Sequence, residues 1–84
     1  MNNKFVLESL ASDLKRVALG FHRGSNTMVQ RFLDEALNRK EEVKVDQVAP
    51  YIKSLLKKLN KKTNSDEALM YSTLIQNYTQ SKKF

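Results

Sequence analysis

Residues 7–21 read LESLASDLKRVALGF, and the spacing of their apolar side chains decides the fold class. Leu7, Leu10, Leu14, Val17 and Phe21 recur at steps of three, four, three and four, with Ala11 and Ala18 beside them. A helix turning about 100° per residue gathers such positions into one stripe, whereas a half-buried strand would need every second residue. The spacing predicts an amphipathic helix over about residues 4–22. Phe5 and Leu19 project from the other side of the wheel.

The end of that stretch runs into GFHRGSNTM, residues 20–28, which holds both glycines and the only histidine. It reads as a stop signal followed by a start signal. Either Gly24 is the left-handed residue that ends the first helix, or Gly20 ends it and residues 22–25 form a loop. His22 and Arg23 suit the negative end of a helix in the first case. Downstream, Thr27 with Gln30 three residues on fits a capping box, and Ser25 or Asn26 is an alternative cap. Arg23, Ser25 and Asn26 are also the candidate residues for holding an anion at the start of the second helix.

Working outward, Met28, Val29, Phe32, Leu33, Ala36 and Leu37 cover about half of a helical wheel over residues 27–41, so this helix must touch more than one neighbour. Arg31, Asp34, Glu35 and Asn38 make its wet side, with Arg31 and Glu35 spaced to pair. The charged run Arg39 to Asp46 interrupts the stripe and reads as helix end plus connection. A third helix is expected over residues 47–61, capped by Asp46 with Pro50 in its first turn, on the stripe Val48, Ile52, Leu55, Leu56 and Leu59. A fourth is expected over residues 65–80. Asn64 or Ser65 would cap it, Glu67 lies in its first turn, and Ala68, Met70, Tyr71, Leu74, Ile75 and Tyr78 form its apolar face. Tyr51, Tyr71 and Tyr78 read as core residues with the hydroxyl at the edge, and Met28 and Met70 as gap-fillers.

Four amphipathic helices with short connections predict an all-α fold, a small antiparallel helical bundle in one domain of residues 1–84. The shortest connection, between the first two helices, predicts an α-hairpin. Two glycines and one proline argue against a turn-rich β fold. At 84 residues a single core supplies only about 3–5 kcal/mol unless packing or self-association helps.

The inventory of reactive groups is thin. One histidine and no cysteine remove the usual triads, thiolate metal sites and disulfides. The adjacent acids Glu41-Glu42 and Asp66-Glu67 point about 100° apart on a helix, so neither pair is a catalytic dyad. There is no phosphate-cradling glycine loop. The expectation is a protein that is not an enzyme and takes no cofactor or metal. Lys4, Glu8, Asp13, Lys15 and Arg16 interrupt any leader-like apolar run, and no apolar stretch is long enough for a membrane span, so a cytoplasmic protein is expected.

Charge is distributed unevenly. Residues 48–64 carry five lysines and no acid, which accounts for +5 of the net +6. On a continuous helix Lys53, Lys57 and Lys61 would line up opposite the leucine stripe, with Lys58 and Lys62 beside them. Such a ridge is the candidate site for an anionic partner, although lysines also serve as solvated surface and suit a helix C-terminus. It lacks arginine and interleaved aromatics, which disfavours base reading and single-strand stacking. Two functions follow as expectations. The first is protein–protein contact or self-association; the alternative is phosphate binding to nucleic acid through the ridge.

Overall fold

In the computed structural model, which describes residues 2–81, the stripe of residues 7–21 lies on helix α1 (Asn3–Arg23). It is followed by α2 (Asn26–Glu42), a single 3-10 turn at Val45–Gln47, α3 (Pro50–Lys58) and α4 (Ser65–Ser81). No strand occurs among the described residues, and the helices form the expected antiparallel bundle.

Gly24, not Gly20, ends α1. Its φ is 69°, and the Gly24 and Ser25 amides donate back to the Phe21 and Gly20 carbonyls at 3.1 and 2.9 Å. Only glycine takes that backbone cheaply. Ser25 then caps α2, its hydroxyl accepting from the Met28 amide at 3.2 Å, so Thr27 is inside the helix rather than its cap. With two residues between them, α1 and α2 must turn back on each other. Gly20 serves that turn differently: a Cβ there would lie 3.0 Å from Val29 Cγ2 and 3.1 Å from the Val29 nitrogen, so its bare backbone lets the helices touch.

Further along the pair, Asp13 of α1 accepts from Arg39 of α2 at 2.9 Å. At the far end, the Asn3 carboxamide takes both backbone groups of Lys44, donating to the carbonyl at 3.0 Å and accepting from the amide at 2.9 Å. These three contacts fix α1 and α2 as antiparallel over their whole length. The expected Arg31–Glu35 pair does not form; the Arg31 guanidinium lies over the Phe32 ring, 5.4 Å from its centroid.

Helix α4 runs antiparallel to α1 on another side. Ala68 packs with Val17, Ala18 and Leu33, the Ser72 hydroxyl donates to the Ala11 carbonyl at 2.7 Å, and Tyr78 reaches the start of α3. Its N-terminus is a reciprocal box: the Glu67 amide donates to Asn64 Oδ1 and the Asn64 amide to Glu67 Oε1, at 2.8 and 3.0 Å. The exposed face of α4 differs from expectation. Ser72 and Thr79 are buried while Met70 and Leu74 are not, because small hydroxyl residues that bond to main-chain carbonyls let α4 approach α1.

The third helix departs most from the sequence reading. It spans nine residues rather than 47–61. Asp46 lies in the separate 3-10 turn, and Pro50, whose missing N–H costs nothing at a first helical position, opens α3 after Ala49. Beyond Lys58 the chain is taken by local bonds. Asn60 donates its amide to the Thr63 hydroxyl and accepts the Lys62 amide at its side chain, at 3.1 and 2.7 Å, and Thr63 is buried. Such side-chain bonds compete with helix continuation.

A nine-residue helix is about 14 Å long against about 31 Å for α1. The core divides accordingly. Around Leu7, Leu10 and Leu14 it is built from all four helices, with Ile52, Leu55, Leu56 and Ile75 buried against them. Around Val17 it is a smaller cluster of Ala18, Val29, Leu33 and Ala68, from α1, α2 and α4 only. Phe21, the last residue of the stripe, lies past this cluster and is 41% exposed.

Candidate functional site

The five lysines of residues 48–64 do not form one ridge. Lys53, Lys57 and Lys58 stand on α3, whereas Lys61 and Lys62 lie in the turn after it, so the expected line ends at Lys57. All five are exposed, and the ion pairs among the described residues involve none of them.

The α3 lysines are also sorted. The core takes Ile52, Leu55, Leu56 and Leu59, which leaves two flanks on opposite sides of that stripe. Lys53 and Lys57 face α2, where with Lys40 they line a groove of about 510 Å³. Tyr51, Ser54 and Lys58 face α4, where they border a shallower groove closed by Met70, Tyr71 and Leu74. A depression lined by Leu69, Met70, Thr73 and Leu74 adjoins it, and Met70 and Leu74 line both.

The α3–α4 side therefore carries a cluster of exposed apolar side chains, with Thr73 among them and Ser54, Lys58 and Asp66 around them. Tyr51, Leu69 and Met70 are 54%, 52% and 51% exposed, and Leu74 is 39% exposed. Tyr51 is thus not a core tyrosine, nor is Met70 a gap-filler; Tyr71 and Tyr78 are buried as expected. The Tyr51 ring stands edge-on to Tyr78 at 5.8 Å, with the rings at 88°. The Tyr78 hydroxyl in turn accepts from the Ala49 amide at 3.1 Å, so the start of α3 and the tyrosine face are held by α4. Leu69 was not singled out by the sequence reading. It lies off the apolar face read from the sequence and so faces outward there too; the pair Ser72 and Thr79, seven residues apart, is the signal that turns Met70 and Leu74 outward beside it.

At the α1–α2 turn, Arg23 and Asn26 are exposed and Ser25 is half-buried. Arg23 is the last residue of α1, Ser25 the cap of α2 and Asn26 its first residue, and the Ser25 hydroxyl is already engaged by the Met28 amide. His22 is exposed.

No three of the histidine and carboxylate side chains among the described residues are grouped to hold a metal ion. The two perturbed titratable groups are structural. Burial pushes the Asp13 carboxyl above its ordinary value against the opposing pull of Arg39, with Glu35 adding to the rise. Burial also raises the Tyr71 hydroxyl, reinforced by the negative charge of the Glu67 carboxylate one turn away. The groove between α1 and α4, about 270 Å³, is lined by Ser12, Lys15, Ser72, Gln76 and other polar residues, and the Ser72 hydroxyl is engaged with the Ala11 carbonyl. No described helix is long and apolar enough to cross a membrane.

No protein-family model, no curated protein and no solved structure matches this chain.

Proposed function

We propose that this chain is a non-enzymatic helical protein that acts by binding another protein, with the Tyr51, Leu69, Met70 and Leu74 face as its principal contact surface. The observation that carries the reading is the contiguity of that face: four large apolar side chains from two helices, each more than a third exposed, around two adjoining depressions. Scattered exposed leucines are ordinary on a soluble protein, but a clustered apolar patch marks an interaction surface. Tyrosine and methionine suit such a surface, since both give large contact area and adapt to a partner's shape. Lys58 and Asp66 at its edges supply the polar rim that interfaces carry.

The second reading, phosphate binding to nucleic acid, is favoured by the five exposed lysines of residues 48–64 without an acid among them. Their division between two flanks and a turn leaves no long row for a phosphate backbone to follow, so protein binding is the stronger reading.

Site-specific photo-crosslinking in the source cells tests it. With a benzophenone side chain in place of Leu69, the expected result is a discrete protein adduct that is not formed from the same group in place of Gln30, an exposed residue of α2. An adduct at twice the mass of the chain identifies the partner as a second copy. Equal, diffuse labelling from both positions would overturn the assignment of the face.

A further inference from the structure

The groove between the end of α2 and α3 has a chemistry unlike the apolar face. Its walls carry Lys40 from α2 and Lys53 and Lys57 from α3, against one carboxylate, Glu41. Its floor is apolar: Val43 and Leu56 are 7% and 2% exposed, and Val45 stands at the rim at 41%. Lys53 and Lys57 are one helical turn apart, with Cβ atoms about 5–6 Å from each other. Both are exposed and neither has a carboxylate within ion-pair distance among the described residues.

Lys40 differs from them. Its ammonium donates to the Leu59 carbonyl at the end of α3, at 2.8 Å. An ammonium has three N–H donors, so two remain for a ligand while the carbonyl fixes where the charge stands. The groove thus has one positioned cation on one wall and two free ones on the other, above an apolar floor.

We propose that this groove is a docking site for an acidic peptide segment of a partner protein. An apolar side chain of the segment packs on Val43, Val45 and Leu56, and carboxylates on either side of it pair with Lys40, Lys53 and Lys57. Charge complementarity selects the occupant. A chain that brings carboxylates meets three cations and one anion, whereas a basic chain is repelled. A nucleic-acid backbone fits less well, because it has no use for the apolar floor and the groove offers neither arginine nor aromatic residues for bases. A bilayer is a poor fit to a concave seat, since membrane-binding surfaces bury a protruding apolar face. The site is independent of the Tyr51, Leu69, Met70 and Leu74 face, so either can fail alone.

The test is selection of binders from a displayed library of random short peptides on the intact chain, followed by affinity measurement on the enriched peptides. The expected result is enrichment of sequences that place a leucine, isoleucine or phenylalanine between glutamates or aspartates. Their binding should weaken with added salt and fall about ten- to thirtyfold in the Lys53→Glu plus Lys57→Glu variant, while Leu74→Ser leaves it unchanged. Selection on the charge-reversed variant should instead enrich basic peptides, and an unchanged thermal melt of that variant shows that the fold is kept. Enrichment without acidic bias, or no enrichment at all, would overturn the proposal. So would peptide binding indifferent to the double reversal, or a short DNA duplex that binds more tightly than the peptides and is lost in the variant.

Discussion

Replacing Gly20 with alanine tests whether α1 and α2 approach as closely as described. On helix propensity alone the change should stabilise the protein by about 0.8–1 kcal/mol, since glycine loses more backbone freedom on folding. Packing opposes it. The new methyl would meet Val29 Cγ2 at 3.0 Å, the Val29 nitrogen at 3.1 Å and Met28 Cγ at 3.3 Å. Methionine can swing aside, but valine in a helix is held near one χ1 rotamer, and the Val29 nitrogen moves only if α2 moves with it. Overpacking of this kind costs about 1–3 kcal/mol. The balance is a net destabilisation of about 1 kcal/mol, seen in a domain of this size as a fall in Tm of about 4–8 °C.

Circular dichroism melts and urea titrations of the parent and variant supply the measurement, with two controls. Gly24→Ala meets no atom within 4 Å, so its cost comes from the left-handed backbone alone and should be about 1–2 kcal/mol. Adding Val29→Ala to Gly20→Ala removes the nearest clashing methyl, and the double variant should be more stable than the sum of the single effects by about 0.5 kcal/mol or more. A Gly20→Ala protein more stable than the parent by about 0.5 kcal/mol would refute the close approach, because propensity would then have met no opposition.

Two further perturbations probe the polar fasteners. Asn3→Ala removes both hydrogen bonds to the Lys44 backbone and should cost about 1–3 kcal/mol, with hydrogen exchange of the Lys44 amide accelerated; unchanged exchange would show that the carboxamide does not hold that strand of chain. Asp13 carries a pH dependence of unusual sign. Because burial raises its folded pKa above the ordinary 3.8, the native state binds the proton more readily than the unfolded state, and ionisation costs stability as pH rises through that window. The stability of the parent relative to Asp13→Asn should therefore increase as pH falls from neutral through the window just above 3.8. A decrease would mean that the Arg39 pairing at 2.9 Å outweighs the burial.

The helices were legible in the sequence where one physical signal acted alone. The stripe is buried from Leu7 through Leu10 and Leu14 to Val17, because each of these positions faces a neighbouring helix, and only Phe21 at its end is left exposed. Likewise Asn64 with Glu67 marks the start of α4, since a capping box is a local device that needs no tertiary partner. Where two signals compete, the sequence either leaves the outcome open or points the wrong way. Either glycine can end α1, and the choice depends on what stands opposite Gly20, which is a property of α2. Asp46 was an acceptable cap, but Pro50 is a better first helical residue, and the chain uses the intervening stretch as a separate turn. The lysine ridge assumed that α3 continues to residue 61, which the Asn60 and Thr63 side chains prevent.

The candidate surfaces are less legible, because a polar side chain need not be an exposed one. Ser72 and Thr79 are small and their hydroxyls are satisfied by main-chain carbonyls, so they can be buried at little cost, and α4 rotates to bury them. Met70 and Leu74 are carried outward by the same rotation, beside Leu69, which lies off the apolar face in either reading. No hydropathy stripe reports this. It becomes visible only when helix packing is weighed by side-chain volume as well as by polarity.

Helix α3 carries the functional argument because it is too short and too narrow to be covered. One face is spent on Ile52, Leu55, Leu56 and Leu59, and the remaining positions fall on flanks separated by roughly a third of a turn. Tyr51, Ser54 and Lys58 extend the apolar surface of α4, while Lys53 and Lys57 form one wall of the basic groove with α2. Two surfaces of unlike chemistry thus share nine residues without sharing a side chain. Substitutions on one flank leave the other intact, and because these residues are exposed and outside the core, replacing them should change stability by no more than about 0.5 kcal/mol, so the two proposed sites can be tested separately. A longer third helix with its lysines opposite the core would have offered a single cationic ridge. The short one, ended by Asn60, places an apolar and a basic surface side by side, and it is this division that favours the proposed protein partner over a uniform polyanion.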